Sequence, residues 1–247
     1  MRRRFHQLIL ITLLLSIAGA AAQLWLLHTG LDDKGLFVLP HAAVFVGLGI
    51  AVAAIILIIV QTKPILPMND YAAVFSASRL AAFGTMVYAF GLFTNSLSFW
   101  TESSAFLFRI CCITGIAATG VLVYTSIRRL RRPQYASLTM AIVTVHWMLR
   151  LVCRYQEWMK QPQVQWYLYP LLLHVCLMIT FFYRAFPEKQ SPHFRRYLRF
   201  SLVSLLLSCM AFPGSRDSFL YLCTVVYLLS ELYSLRLPKR KRREPFV

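Results

Sequence analysis

The stretch AAVFVGLGIAVAAIILIIV, residues 42–60, contains no charged residue and no side chain that can donate or accept a hydrogen bond. Its nineteen residues would form a helix about 28 Å long, close to the ~30 Å thickness of the hydrocarbon core of a bilayer. The stretch therefore predicts a membrane-spanning helix, and it sets the length of apolar run to look for in the rest of the chain.

Apolar stretches of this length recur along the whole chain. They predict helices at residues 6–28, 40–61, 71–94, 104–126, 136–155, 165–185, 197–213 and 218–236. The connections between them are short and polar or turn-forming, and none is long enough to hold a soluble domain. We therefore expect an all-α integral membrane protein, a polytopic bundle of about eight transmembrane helices that forms a single domain over residues 1–247.

The first predicted helix allows a second interpretation. MRRR, the apolar run LILITLLLSIAG and the small residues of AGAAAQ resemble a signal peptide with its cleavage site. Cleavage would leave seven helices. However, the apolar run continues through QLWLL and becomes long enough to cross a bilayer, which favours an uncleaved helix.

Composition supports the membrane interpretation and argues against a nucleic-acid binder. Hydrophobic residues make up 58% of the chain and charged residues only 14%, against about 25% charged residues in a soluble domain. The net charge of +17 could indicate nucleic acid, but such proteins spread basic residues over one folded face. Here the basic residues lie between the apolar stretches, so we expect a lipid bilayer as the partner and no nucleic acid.

The distribution of basic residues predicts the orientation, because Lys and Arg collect on the cytoplasmic side of a membrane. With a cytoplasmic N-terminus, Arg79 and Arg109 fall inside predicted helices, nineteen basic residues lie on the cytoplasmic side and five lie on the other: Lys34, Arg150, Arg154, Lys160 and Arg216. All five tryptophans fall in the outer half of this arrangement, as an aromatic belt would. We expect both termini to be cytoplasmic and the membrane to be the plasma membrane.

One predicted helix carries an unusual set of polar residues in HWMLRLVCRYQEW, residues 146–158. His146, Arg150 and Arg154 are spaced four apart and form one polar ridge, and Glu157 lies on the same face. Arg109 lies at a similar depth in its own helix. Charged residues inside a membrane usually face the bundle interior or a wet cavity, and a guanidinium can pair two oxygens of a carboxylate or phosphate. These five residues are the candidate ligand site; snorkelling and structural pairing of the arginines are the alternatives.

Arg79 and Glu231 are a candidate structural ion pair near the cytoplasmic side. Arg79 is predicted about two turns inside the third helix, and Glu231 lies at comparable depth in the eighth. An unpaired guanidinium at that depth would be costly, so we expect the pair to tie the two helices together. A substrate site at the same place is the alternative.

Motifs for catalysis and metal binding are missing from the sequence. It contains no GxSxG elbow, no HExxH zinc pair and no Walker-type phosphate loop, so we expect no catalytic residues, no metal and no other cofactor. A Cys–His–Arg site assembled from different helices stays open as a catalytic alternative. The six cysteines lie inside apolar stretches without CxxC spacing, which is typical of small packing residues: Cys111, Cys112, Cys153, Cys176, Cys209 and Cys223.

Residues 236–247 form a basic cytoplasmic tail directly after the last predicted helix. Its basic residues exceed what orientation requires: Arg236, Lys239, Arg240, Lys241, Arg242 and Arg243. We expect them to contact anionic lipid headgroups on the cytoplasmic face, each contributing about 1 kcal/mol. A solvated flank that serves only orientation is the alternative.

Two classes of function agree with these features. The first is a non-enzymatic membrane component, such as a sensor, assembly factor or accessory subunit, with a membrane-protein partner. The second is a small-solute permease that uses the outer arginines to bind an organic anion. Secondary transporters often couple to protons through carboxylates inside the membrane or to sodium through broken helices, and Glu231 is the one carboxylate placed inside a predicted span. We therefore rank the component first, the permease second and an intramembrane enzyme third.

Overall fold

The computed structural model of the chain is helical throughout the residues that it describes, which are 2–32, 41–63, 75, 78–102, 105–131, 139–160, 167–185 and 192–235. These ranges contain eight helices and no strand. The helices are α1 (Arg2–Thr29), α2 (Ala42–Thr62), α3 (Arg79–Glu102), α4 (Phe106–Arg131), α5 (Thr139–Trp158), α6 (Leu168–Ala185), α7 (Pro192–Ala211) and α8 (Ser218–Ser234).

The lengths and compositions of the helices identify an integral membrane protein. Five of the helices in the described ranges are long and apolar enough to cross a bilayer, namely α1, α2, α3, α4 and α6. Helix α8 is apolar but only 17 residues long, whereas α5 contains two arginines and α7 contains three. The predicted all-α polytopic bundle is therefore confirmed.

Six of the helices form a closed ring. Each helix from α3 to α7 contacts the next one along the chain, and α8 contacts α3 to complete the ring. Helices α1 and α2 pack against each other and against α7. Helix α7 therefore has protein neighbours on several sides, and its three serines Ser201, Ser204 and Ser208 are buried in those contacts. A helix surrounded in this way needs less apolar surface than one that faces lipid.

Glycines allow α3 to approach α8 closely. A Cβ atom added at Gly84 would lie 1.7 Å from Oγ of Ser230, and one added at Gly91 would lie 2.7 Å from Sγ of Cys223. Small residues at a helix interface let two backbones come together, which is a common way to pack membrane helices. The contact between α3 and α8 therefore depends on glycine at both positions.

The predicted and observed helices overlap in all eight cases, and the largest difference is in α3. This helix was expected at residues 71–94 and is observed at Arg79–Glu102. It continues through the polar residues Asn95 and Ser96 because both side chains are hydrogen-bonded. Oγ of Ser96 donates to the Leu92 carbonyl at 2.7 Å, and Nδ2 of Asn95 donates to Oδ1 of Asp217, just before α8, at 2.9 Å. The shift makes Arg79 the first residue of the helix, with an exposed side chain.

Candidate functional site: two buried ion clusters

Asp217 lies at the N-cap of α8 and accepts hydrogen bonds from two other helices. Arg154 of α5 donates through Nε to Oδ2 at 3.1 Å and through Nη2 to Oδ1 at 2.7 Å. Asn95 of α3 donates to Oδ1 at 2.9 Å, and Nη2 of Arg150 lies 2.9 Å from Oδ2. A bidentate arginine–carboxylate contact is among the strongest charge-assisted pairs. We call Asn95, Arg150, Arg154, Glu157 and Asp217 the Asp217 cluster.

Arg154 is shared between two carboxylates in this cluster. Its Nη1 donates to Oε2 of Glu157 at 2.6 Å, where the Glu157 side chain is 30% exposed, whereas the Asp217 side chain is only 3% exposed. The guanidinium groups of Arg150 and Arg154 lie 4.8 and 4.3 Å from the ring centroid of Phe99. The ring face attracts both cations and adds to the charge pairing.

The surroundings of Asp217 keep its carboxyl group ionised. Burial alone would raise the pKa of this carboxyl. The positive charges of Arg150 and Arg154, together with the hydrogen bonds from Arg154 and Asn95, outweigh burial and hold the pKa well below its usual range. Asp217 is therefore negatively charged at neutral pH.

Arg150 is completely buried, and only part of its guanidinium group is hydrogen-bonded. Its Nε donates to Nε2 of His174 at 3.3 Å, and Nδ1 of His174 lies 2.6 Å from the Pro170 carbonyl oxygen. Because Nε2 accepts, the imidazole proton belongs on Nδ1 and is donated to that carbonyl. Nη1 and Nη2 of Arg150 have no hydrogen-bond partner, although Nη2 is within ion-pair distance of Asp217.

His146, the deepest member of the predicted ridge, is held between α4 and α5. It is buried, with Nδ1 lying 3.4 Å from Oγ1 of Thr114 and Nε2 lacking a hydrogen-bond partner. Gly115 faces it closely, since a Cβ atom there would lie 2.9 Å from Cε1 of His146. The structure therefore places His146 inside the ring, one helical turn from Arg150.

Arg109 lies apart from the Asp217 cluster, contrary to the prediction that it belongs to the same site. Its side chain is exposed, and its guanidinium carbon lies 5.8 Å from the ring centroid of Trp100. On this turn of α4 the buried residues are Phe108, Cys111 and Cys112, so Arg109 points away from the interior. Of the five candidate residues, the structure brings together Arg150, Arg154 and Glu157, places His146 nearby and separates Arg109.

A second buried ion cluster lies at the other end of α8. Glu231, fourteen residues after Asp217, is about 21 Å further along the helix. Its Oε1 accepts from Nη1 of Arg129 on α4 and lies 2.8 Å from Nη1 of Arg184 on α6. Arg184 also donates to the hydroxyl of Tyr227. We call Arg129, Arg184, Tyr227 and Glu231 the Glu231 cluster.

The predicted Arg79–Glu231 pair is wrong. The carboxylate of Glu231 is bonded to Arg129 and Arg184, while Arg79 is exposed at the start of α3. The error follows from the position of α3, which begins at Arg79 and not two turns earlier. Arg129 and Arg184 lie near basic segments that the positive-inside rule already explains, so neither of them stood out as a buried residue.

Stacked aromatic side chains occupy the ring interior between the two clusters. The ring of Tyr88 lies 4.8 Å from that of Tyr227 and 5.7 Å from that of Phe181, centroid to centroid. Nε1 of Trp147 donates to the Tyr88 hydroxyl at 2.7 Å. All four side chains are completely buried. We call them the aromatic layer, and Tyr227 belongs both to this layer and to the Glu231 cluster.

The cysteines pack between helices. In the described part of the chain, no group of three or more His, Cys, Asp or Glu side chains is arranged to hold a metal ion. All six cysteines are free thiols. Three of them share a small apolar cluster with two phenylalanines at the α3, α4 and α5 contact: Phe99, Phe108, Cys111, Cys112 and Cys153.

Asp217 and Asn95 are the main cluster residues that sequence reasoning missed. One signal for Asp217 was available, because it directly precedes an apolar run at a position where aspartate often begins a helix. Asn95 had no comparable signal, since it was expected to lie in a connection. The predicted lipid-contact residues of the tail lie outside the described residues: Arg236, Lys239, Arg240, Lys241, Arg242 and Arg243.

Comparison with known proteins adds no functional information. No protein-family model matches the sequence, and no curated protein or solved structure matches it either.

Proposed function

We propose that the protein is a non-enzymatic component of a membrane, acting as a sensor and not as a transporter or an enzyme. The observation that carries this proposal is the aromatic layer of Tyr88, Trp147, Phe181 and Tyr227. Buried rings that stack and hydrogen-bond to one another form a dense layer with little room for water. Such a layer supports a function in which the two ends of the ring communicate without solute crossing between them.

The sharing of α8 between the two clusters also supports a sensor. This helix contributes Asp217 to one cluster and Glu231 to the other. Each carboxylate contacts two arginines from other helices of the ring. A change in contacts at one cluster therefore acts on a helix that belongs to both, which is the physical connection that signalling between two sites needs.

The proposal includes a location and partners. We place the protein in the plasma membrane with both termini in the cytoplasm, anionic lipid headgroups around the tail of residues 236–247, and a membrane-protein partner that receives the signal. The ratio of nineteen basic residues to five supports this orientation. With this orientation, the Asp217 cluster faces the outside and the Glu231 cluster faces the cytoplasm.

A small-solute permease for an organic anion is the second candidate. The observation in its favour is Arg150, which is completely buried inside a ring of helices and has two guanidinium nitrogens without hydrogen bonds. Transport would require the aromatic layer to open in every cycle, because substrate has to reach both sides. The two candidates therefore differ in whether water reaches the middle of the ring.

A cysteine at the position of Thr224 can report whether water reaches the middle of the ring. Thr224 is completely buried and lies seven residues from both Asp217 and Glu231, which places it on the same face of α8. We suggest a Thr224→Cys variant in a background whose six native cysteines are replaced by alanine. The matched control is Arg216→Cys in the same background, at an exposed position in the turn between α7 and α8. Both are treated with a membrane-impermeant maleimide in lipid vesicles of both orientations.

We expect the cysteine at position 216 to be labelled and the cysteine at position 224 to stay unlabelled. Addition of lactate, a small organic anion of the kind that the permease would carry, should not change this result, because the aromatic layer stays closed in a sensor. Labelling at position 224 that increases when lactate is added would contradict the proposal and favour the permease.

A further inference from the structure

Cys111 on α4 and Cys153 on α5 are buried thiols that contact each other. The exposed fraction of Cys111 is 1%, and that of Cys153 is 0%. The thiol of Cys111 makes polar contacts with two side chains of α5, namely the thiol of Cys153 and the ring of His146. Two neighbouring thiols and a histidine are the groups that disulfide chemistry needs, because the histidine can accept the proton of the thiol that reacts first.

Close packing of α4 against α5 holds the two thiols together. Gly115, one turn after Cys111, faces His146 so closely that an added Cβ atom would lie 2.9 Å from its Cε1. Oγ1 of Thr114 donates to the Cys111 carbonyl at 3.0 Å and lies 3.4 Å from Nδ1 of His146. A disulfide requires that the two Cα atoms lie within about 7 Å of each other, and such close helices favour that distance.

The pair lies near an end of each helix. Cys111 is five residues after Phe106, the first residue of α4, and Cys153 is five residues before Trp158, the last residue of α5. Each cysteine is therefore about 7 Å from a helix end. Sγ of Cys153 donates to the Leu107 carbonyl in the first turn of α4 at 3.7 Å. The terminal turns of a helix open more readily than its middle, so opening of this turn gives a small oxidant access to Cys153.

We propose that Cys111 and Cys153 form a redox-active pair, which hydrogen peroxide converts into a disulfide between α4 and α5. Hydrogen peroxide is little larger than water, so the reaction needs no preformed ligand pocket. Cys112, a buried thiol of the same apolar cluster, stays reduced. This inference goes beyond the proposed function. Only the compartment rests on that function, because the proposed orientation puts the pair on the outer side, where disulfides persist.

The reaction balances in two steps. His146 accepts the thiol proton of Cys111, and the sulfur of Cys111 attacks one oxygen of the peroxide; the O–O bond breaks, and the departing hydroxide takes the proton from His146 to leave as water. Cys111 is then a sulfenic acid. The sulfur of Cys153 attacks the sulfur of Cys111, the S–O bond breaks, and hydroxide leaves with the Cys153 proton as a second water. Two thiols are oxidised to one disulfide, and one peroxide is reduced to two waters.

The disulfide would constrain α5 next to the Asp217 cluster. Cys153 directly precedes Arg154, which donates to the two carboxylate oxygens of Asp217 at 3.1 and 2.7 Å. A covalent bond to α4 would therefore fix the part of α5 that holds this carboxylate. The bond also joins residues that are 42 positions apart in the chain, which lowers the conformational entropy of the unfolded state. The oxidised protein should unfold at a higher temperature than the reduced protein.

Thiol counting in the purified full chain tests the pair. The folded protein is treated with hydrogen peroxide, unfolded in dodecyl sulfate and alkylated with N-ethylmaleimide, and mass spectrometry counts the labelled cysteines. The untreated protein has six free thiols. We expect peroxide to remove two of them, dithiothreitol to restore them, and peptide mapping to find Cys111 linked to Cys153 of the same chain. The midpoint temperature of unfolding should be higher for the oxidised sample.

Four variants assign the roles of the residues. Cys153→Ser should stop at the sulfenic acid on Cys111, which dimedone traps, whereas Cys111→Ser should give neither the disulfide nor the trapped acid. Cys112→Ser, the matched change of a buried cysteine in the same cluster, should preserve the disulfide. His146→Gln should slow disulfide formation about 100-fold without changing the product. If a variant does not fold, the peptide map of the wild type decides.

Several results would overturn the pair. Six labelled thiols after peroxide treatment of the folded protein, with thiols lost only after unfolding, would reduce the cysteines to packing residues. A disulfide that contains Cys112 or joins two chains would assign the reaction to other thiols. An unchanged rate in His146→Gln would remove this histidine from the mechanism. None of these results affects the labelling at position 224, which uses a background without native cysteines.

Discussion

Replacing Asp217 with asparagine should strongly destabilise the protein. Asparagine keeps the shape of the side chain but removes the charge that Arg154 contacts through two hydrogen bonds and Arg150 contacts at 2.9 Å. Arg150 is 0% exposed and Arg154 is 2% exposed, so water cannot replace the lost carboxylate. Removing one partner of a buried ion pair costs about 3–5 kcal/mol, and we expect the free energy of unfolding to fall by that amount.

Glu157→Gln is the matched control for this change. It removes a carboxylate that contacts the same arginine at 2.6 Å, but the Glu157 side chain is 30% exposed. Solvent screens an ion pair at such a position, so the expected cost is only about 0–1 kcal/mol. Both variants lose one negative charge. The difference between their free energies of unfolding, roughly 3 kcal/mol, therefore measures the effect of burial and not that of net charge.

Unfolding in mixed micelles with increasing dodecyl sulfate, followed by tryptophan fluorescence, would measure both variants. The double variant Asp217→Asn with Arg154→Gln should be more stable than the sum of the two single changes predicts, because the residues form one contact. The reasoning is refuted if Asp217→Asn is as stable as Glu157→Gln, or if the two changes in the double variant are additive.

The same carboxylate predicts how stability depends on pH. The arginines hold the folded-state pKa of Asp217 below its usual range, so its contribution is complete above the unfolded-state pKa of about 4. The contribution is lost as the pH falls from there toward the folded-state pKa. The wild type should therefore lose stability below about pH 4, and Asp217→Asn should lack this part of the decline. Identical acid profiles for the two proteins would show that Asp217 does not contribute.

Three further predictions concern other parts of the chain. Glu231→Gln should lower the free energy of unfolding by about 3–5 kcal/mol, whereas Arg79→Gln, which changes an exposed side chain, should leave it unchanged in the same micelle titration. Gly84→Ala should destabilise the protein by about 1–3 kcal/mol, because the new methyl group would lie 1.7 Å from Oγ of Ser230 on α8. The control Gly120→Ala, at a position with open space around it, should be neutral or stabilising by up to about 1 kcal/mol. Replacing the basic residues 239–243 with glutamine should reduce the anionic lipid that mass spectrometry finds with the purified protein, most clearly at low salt, and unchanged lipid content would restrict the tail to an orientation signal.

The helical class could be read from the sequence because bilayer thickness fixes the length of an apolar run. Residues 42–60 match that length closely, and the observed α2 covers Ala42–Thr62. The same reasoning fails at α3, where the polarity of Asn95 and Ser96 predicts a connection. Both side chains find hydrogen bonds inside the protein, so the helix continues. A hydropathy window registers the polarity of such residues and cannot register their bonding partners.

The arginine ridge of α5 could be predicted because its geometry is local, whereas its partner could not. Arg150 and Arg154 lie on one face of a helix through their spacing alone. Asp217 is 63 residues away from Arg154, in the turn before α8, and becomes its neighbour only through the closing of the ring between α8 and α3. Asn95 enters the same cluster from α3 for the same reason. Helix order around a ring is a tertiary property that no local periodicity contains.

The spacing of the two carboxylates on α8 explains why the clusters are mechanically connected. Asp217 and Glu231 are fourteen residues apart, so the second lies about 40° around the helix from the first and about 21 Å along it. A rotation of α8 that withdrew one carboxylate from its arginines would withdraw the other as well. Sliding by one turn would move both by about 5.4 Å, beyond the reach of the hydrogen bonds of 2.7–3.1 Å that hold Asp217. Helix α8 therefore keeps its position only while both clusters are intact, and a ligand that altered the contacts of Asp217 would act on those of Glu231.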